Sequence, residues 1–401
     1  MSEATAQPLT IEKLHAAVSG HAAAIRCRTR LQPAAGPGTK VFPPTHAGGV
    51  YATEKRRLPV FDESGKQIGT READCVLLDS VQSQANRIED ALQDAIDNQR
   101  IKMPLIVVDF SDKLPDVQRV TSLQAPHRAA DAILRDSLIN GTEFRKSDIG
   151  KAITDSSLAN ATSLYRYCPH ALFLGVWDST GPKGGLGAKF ARALVSEIVG
   201  IDAIVGKKTS SRIDPLQVRR GAMVLKGKDS WKLADSDNAK GAVSPSEINH
   251  GNIPPDVAEG SVTIAYAEHT AVLSLPQLRR LHFPIDGQLN AARDDAARTV
   301  LAALALVGLT LSLERGADLR SRCLLFPEAP IEFELLETPG KPETFSLNSE
   351  RAIALLNSAV DAAEKLGLTW QTEPITLKPS PELIALVKKS QQLAATGEEG
   401  E

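Results

Sequence analysis

AAAIRCRTRL, residues 22–31, alternates strictly: Ile25, Cys27, Thr29 and Leu31 fall on one side, Arg26, Arg28 and Arg30 on the other. A period of two is that of a β-strand with one buried and one wet face. Three arginines in line across an open sheet repel one another unless an anion lies near them, or unless they guard an exposed edge. The segment therefore opens an antiparallel sheet. It also nominates Arg26, Arg28 and Arg30 as contacts for a polyanion, with a charge-protected edge strand as the plainer alternative.

Working outward, residues 33–49, PAAGPGTKVFPPTHAGG, form a long proline- and glycine-rich loop carrying Lys40, followed by a hairpin turn near Glu63–Lys66. Asp79-Ser80 then caps a helix to about Asn98 whose first turns are polar, with Ser80, Gln82, Ser83, Gln84 and Arg87 able to donate to phosphate or sugar oxygens. Strand is expected at 104–110, helix at 125–138 and a short helix at 151–160. Strand is expected again at 261–275, helix at 291–313, strand across 323–336 and helix at 349–366. The order gives an α+β fold around one antiparallel sheet with long insertions.

A second stretch, GVWDSTGPKGGLGAKFARALVSEIVG from Gly175, places Lys183, Gly184, Gly185, Gly187 and Lys189 after the apolar residues 172–174 and before a segment that reads as helix from Ala188. Strand, glycine loop and helix N-terminus together form a common phosphate cradle. The nucleotide-binding strings themselves fail. Five residues after Gly181 stands Leu186, and after Gly185 and Gly187 the third glycine of a dinucleotide motif is replaced by Phe190. No HExxH or GxSxG occurs, and Cys168 with His170 makes only half a metal site. Asp178 has no partner base beside it and reads as a loop cap. No catalytic residue, metal or cofactor is expected.

The chain has 401 residues, a net charge of −3 and an apolar content of 42%, enough for a packed core. Four dispersed cysteines without a CxxC pair argue against a disulfide framework and fit the cytosol. The start MSEATAQPLT lacks a secretory pattern, and the apolar run 300–311 is short for a bilayer, so no membrane is expected. Charge is segregated: residues 205–228 hold seven cations, including Lys207, Lys208 and Arg212, against one anion, Asp214, while the last third is acidic. Aromatics make up only 4%, so a nucleic-acid ligand would be held by its backbone rather than by base stacking.

Four segments, 28–49 (RTRLQPAAGPGTKVFPPTHAGG), 74–92 (DCVLLDSVQSQANRIEDAL), 125–137 (APHRAADAILRDS) and 172–194 (LFLGVWDSTGPKGGLGAKFARAL), with SRIDP after them, resemble the multi-copy backbone subunit of type I-G (formerly I-U) CRISPR surveillance complexes, in the RAMP superfamily. The resemblance runs from about Ala24 to Asn290. It implies a single elaborated domain over 1–401 with an RNA-recognition-motif-like (ferredoxin-like) core. Insertions would lie at 32–78 and 207–260, with a C-terminal elaboration at 286–401. It also implies a non-catalytic, cytoplasmic prokaryotic protein. Copies would polymerise along a CRISPR guide RNA, and a projecting element would displace a nucleotide at regular steps. The guide would read target DNA by pairing. Further partners would be a large subunit, a guide-end-binding or processing subunit, and a recruited helicase-nuclease. The Ser80–Gln84 turn matches the family's phosphate-contacting stretch, with Arg87 as its only cation. Two other readings compete: an enzyme that binds a phosphorylated small molecule through the glycine loop, and a ribonuclease of the RAMP type.

Overall fold

The computed structural model describes residues 8–179, 188–227, 230–236 and 239–395. Helix α1 (Ile11–Ser19) leads into β1 (Ala24–Pro33), then the hairpin β2 (Thr53–Phe61)–β3 (Gln67–Asp79) and helix α2 (Val81–Asp97). Farther on come β4 (Leu194–Ile201), β5 (Ile204–Arg212), β6 (Ile253–Thr263) and β7 (Tyr266–Ser274). Helix α3 (Ala291–Glu314), β8 (Ala317–Arg320), β9 (Cys323–Pro327), β10 (Phe333–Thr338), β11 (Lys341–Phe345), α4 (Ser349–Glu364) and α5 (Pro381–Ala395) follow, with shorter strands and helices between the named elements. The fold is α+β.

One nine-stranded sheet organises it, in the order β8-β9-β1-β7-β4-β3-β2, with β10 also on β1 and β11 on β10; every pairing is antiparallel. Strand β1 lies at the centre, and its alternation is realised: Ile25, Cys27, Thr29 and Leu31 are buried while Arg28 and Arg30 are exposed. Helices α2 and α3 cover the buried face and pack on each other. They approach closely because Gly308 has no side chain: a Cβ there would come within 2.7 Å of Ile88 Cγ2. Helix α3 is longer than its apolar core suggests, and long and apolar enough to cross a membrane, but 89% of that window is buried inside the protein.

A smaller five-stranded sheet sits beside the first. Its strand Ile375–Pro379 runs parallel to Ile106–Asp109 and antiparallel to Ser137–Ile139, so the end of the chain is stitched to segments from its first half.

Three expectations are corrected. Residues 172–174 lie in a short helix, His170–Leu174, and not in a strand. The segment after the glycine loop is not helical: Lys189–Phe190 is strand, and Leu194–Ile201 is β4, with Leu194, Ser196 and Ile198 inward and Val195 exposed. That period of two, with β-branched residues, overrides the helical spacing of the preceding alanines. The helix expected over 125–138 breaks into two short turns and the strand Ser137–Ile139. Asp131 accepts from the amides of His127 and Ile133 and starts a new turn there, and Arg128 is left-handed at φ 53°.

Candidate nucleic-acid interface

The start of α2 divides into two faces. Ser80 is the N-cap and accepts from the Ser83 amide at 3.2 Å; Gln82 is exposed. Gln84 and Arg87 point inward. Gln84 Nε2 donates to the buried Asp79 carboxylate at 2.5 Å, and Arg87 Nε donates to the same oxygen at 2.9 Å. Arg87 also donates to the carbonyls of Asp318 and Leu319 in β8. The protein itself thus engages both side chains, and what this turn offers outward is Ser80, Gln82 and Ser83.

The β1 arginines lie in line on the outer sheet face, and the anions near them belong to neighbouring strands. Arg26 pairs with Glu334 and Arg28 with Glu268, each at 2.6 Å, and the Arg30 guanidinium stacks on Tyr266 at 4.2 Å from the ring centroid. The row is an interleaved ion-pair lattice on β10, β1 and β7, not a bare cationic stripe.

Strands β5 and β6 form a two-stranded ribbon that continues the β4–β7 hairpin beyond the sheet and is exposed along most of its length. Lys207 stands opposite Glu259 with 3.4 Å between charged atoms. Lys208 has no carboxylate partner among the described residues, and Lys40 reaches from the 33–49 loop to the Lys207 carbonyl at 3.2 Å. These three lysines gather at the ribbon's lower half. Arg212 is structural: its guanidinium donates to the carbonyls of His250 and Gly251 and closes the ribbon's far end. Ile204, Val205 and Val257 project from the ribbon into solvent.

Lys183, Gly184, Gly185 and Gly187 lie outside the described residues. The stems that flank them pair as a two-rung antiparallel ladder, Val176 opposite Phe190 and Trp177 opposite Lys189. Val176 and Phe190 are buried, whereas Trp177 and Lys189 share the outer side, the ammonium 5.0 Å from the indole. The described stems are strand on both sides, so no helix starts at Lys189, where the sequence suggests one. Sequence passed over Trp177, whose signal is an indole directly before a glycine-rich loop. It also passed over Arg128 and Arg192, which lie within the segments that carry the family resemblance.

The residues a catalytic reading would use are buried or paired. Asp178 is buried and ion-paired to Arg145 at 2.7 Å. His170 is fully buried, its Nε2 3.1 Å from the Ser122 carbonyl, and burial pushes its pKa down to about 3; the Cys168 thiol beside it is pushed up to about 12. Among the described residues no group of three His, Cys, Asp or Glu side chains could hold a metal ion.

A comparison with curated proteins finds no match. Residues 25–205, from the start of β1 to the base of the ribbon, match the family described as CRISPR-associated protein GSU0053. That span holds the sheet arginines, the α2 turn and both stems of the glycine loop, and over it the chain is similar to that CRISPR-associated family.

Proposed function

We propose that this protein is a non-catalytic guide-RNA-binding subunit of a type I-G surveillance complex in the prokaryotic cytoplasm. It polymerises along CRISPR RNA and presents the guide for pairing with target DNA. The observation that carries the reading is the exposed ribbon β5/β6, with Lys40, Lys207 and Lys208 at its lower half and Ile204, Val205 and Val257 along it. Lysines without a fixed bidentate geometry suit a phosphate chain of any sequence, and protruding aliphatic side chains suit the wedge that displaces a base.

The sheet's centre supports the same reading. Spatial order β10-β1-β7-β4, with α2 between β1 and β4 in the chain and α3 between β7 and β10, is the arrangement of a ferredoxin-like βαββαβ unit. The ribbon is then an extension of that unit's central hairpin. Target DNA, further copies, the large subunit, a guide-end subunit and a helicase-nuclease would be met only through the assembled particle.

The test is to purify the full chain with its CRISPR array expressed and extract the nucleic acid. A discrete RNA of guide length, bound intact during incubation with divalent metal, is the expected result. Protein that carries no RNA and binds none at low salt would overturn the proposal; metal-dependent cleavage of bound RNA would replace it with the ribonuclease reading.

A further inference from the structure

Three stretches distant in sequence meet at the stems of the glycine-rich loop. Arg128, held left-handed at φ 53°, forms a bidentate pair with Glu89 of α2, at 2.7 and 2.9 Å, and both side chains are at least 94% buried. Its remaining nitrogen donates to the Gly175 carbonyl at 2.9 Å, at the head of the first loop stem. All three Arg128 nitrogens are thereby engaged. Gly175 is itself left-handed, φ +87°, and a Cβ there would come within 2.9 Å of Arg192 Cγ. The aliphatic stem of Arg192, on the second loop stem, fills that space, so its side chain leaves the backbone beside Gly175.

The local charge does not balance. Arg128 neutralises Glu89, and Arg192 is within electrostatic reach of both. Arg192 is half-buried and makes no hydrogen bond or ion pair among the described residues. The neighbouring pair Arg145–Asp178 is already closed. The intervening loop sequence, 180–187, TGPKGGLG, contains a lysine and no acid. Burial and the charge of Arg128 together hold the Arg192 pKa below its usual value, although a guanidinium stays protonated. A partly desolvated cation with no counter-charge is costly in the empty protein and is compensated when an anion arrives. Trp177 and Lys189 flank the same stems on the solvent side.

We infer that Arg192 is an anion-binding residue at the base of the glycine-rich loop, and that the group it takes is a phosphodiester of the bound RNA. The inference rests on the guide-RNA reading and adds to it a residue and a contact. Glu89–Arg128 acts as the positioning pair: it fixes Gly175, and Gly175 fixes Arg192.

The test compares wild type, Arg192→Gln and Arg192→Lys. Binding to a short unstructured single-stranded RNA is measured across a salt series, and melting is measured on protein freed of RNA. Arg192→Gln should weaken binding by about tenfold and reduce the slope of log K against log salt by about 0.7, the loss of one phosphate contact. Arg192→Lys should fall between the two. RNA-free Arg192→Gln should melt at or above the wild-type temperature, since an uncompensated charge has gone. Unchanged affinity and slope would overturn the inference, and so would a lower melting temperature with unchanged binding, which marks a structural brace. A wild type that ignores RNA but is stabilised by inorganic phosphate through Arg192 would keep the anion site and sink the guide-RNA reading. Response to neither probe overturns both.

Discussion

Gln84 reads as a phosphate donor in the sequence and folds as an internal relay. Its Nε2 donates to Asp79, and its Oε1 accepts from Ser196 Oγ at 2.8 Å. With the single hydroxyl proton so used, the contact between Ser196 Oγ and His269 Nε2, also 2.8 Å, has the imidazole N–H donating. The chain of bonds from His269 to Asp79 is satisfied with a neutral histidine. Burial pushes the His269 pKa down to about 4 and that of His170 to about 3. Unfolded, both return to about 6.5 and bind protons that the native state refuses. Stability contributed by the neutral rings is therefore complete above about pH 6.5 and is lost as pH falls toward 4, by up to about 1.4 kcal/mol per pH unit for each histidine. Urea melts at about pH 7 and pH 5 should show this fall, and His269→Gln should flatten it by one histidine's share; an unchanged slope would sink the relay. Asp178 separates structure from chemistry at the same scale. Asp178→Ala removes the carboxylate bound to the part-buried Arg145 and should cost on the order of 2–3 kcal/mol, read as a lower urea midpoint. RNA cleavage by wild type that disappears in this variant, with stability intact, would contradict that assignment.

Among the elements, the ribbon gives the sharpest expectation. Lys207 faces Glu259 in register, so replacing residues 208–258 with Asn-Gly keeps a two-residue hairpin on an existing pair. Val262 and Ile264, in the core cluster at the ribbon's base, are untouched. The shortened protein should fold, with a melting temperature within a few degrees of wild type, yet no longer unstack bases of bound RNA; a fluorescent base analogue reports the difference. Normal base displacement by the shortened protein would assign that task to the retained Ile204 and Val205 or to another insertion. Elements with a clean period were legible in sequence: β1 from its arginine alternation, α2 from its cap, α3 from its apolar length. Strand β4 was not, because FARAL precedes VSEIV and its small residues fit a helix equally well. Helices α1 and α5 are short or weakly buried, and the strand Ile375–Pro379 acquires its meaning only by pairing with residues some 270 positions earlier. At the candidate site, residue types were legible and directions were not. Nothing local tells that Arg87 turns in toward β8 while Lys208 stays out.

For the whole molecule, a net charge of −3 must be reconciled with the proposed binding of a polyanion. The structure does this by spending acids internally: Glu334 on Arg26, Glu268 on Arg28, Glu343 on Lys13. The acidic C-terminal third therefore does not confront the ligand as a block, and the cations near the ribbon and the loop stems act over a local range of about 8–10 Å at ordinary ionic strength. Two consequences follow for assembly. Affinity per copy should be modest and should fall steeply with salt, by about 0.7 in log K per log unit of salt for each phosphate held on a single strand. Copies on one RNA share that ligand, so the free energy accumulates with the number bound, and a longer RNA should recruit more protein before any copy dissociates. Light scattering on complexes with single-stranded RNAs of increasing length should show particle mass rising in steps of one 42.9 kDa chain plus its RNA footprint, with the protein alone staying monomeric at the same concentration. High salt should disperse the particles and dilution back should restore them, as expected if phosphate contacts alone hold the copies on the RNA. A fixed stoichiometry of one chain per RNA whatever its length would refute the filament. The same oligomer formed without RNA would refute the idea that RNA holds the copies in line.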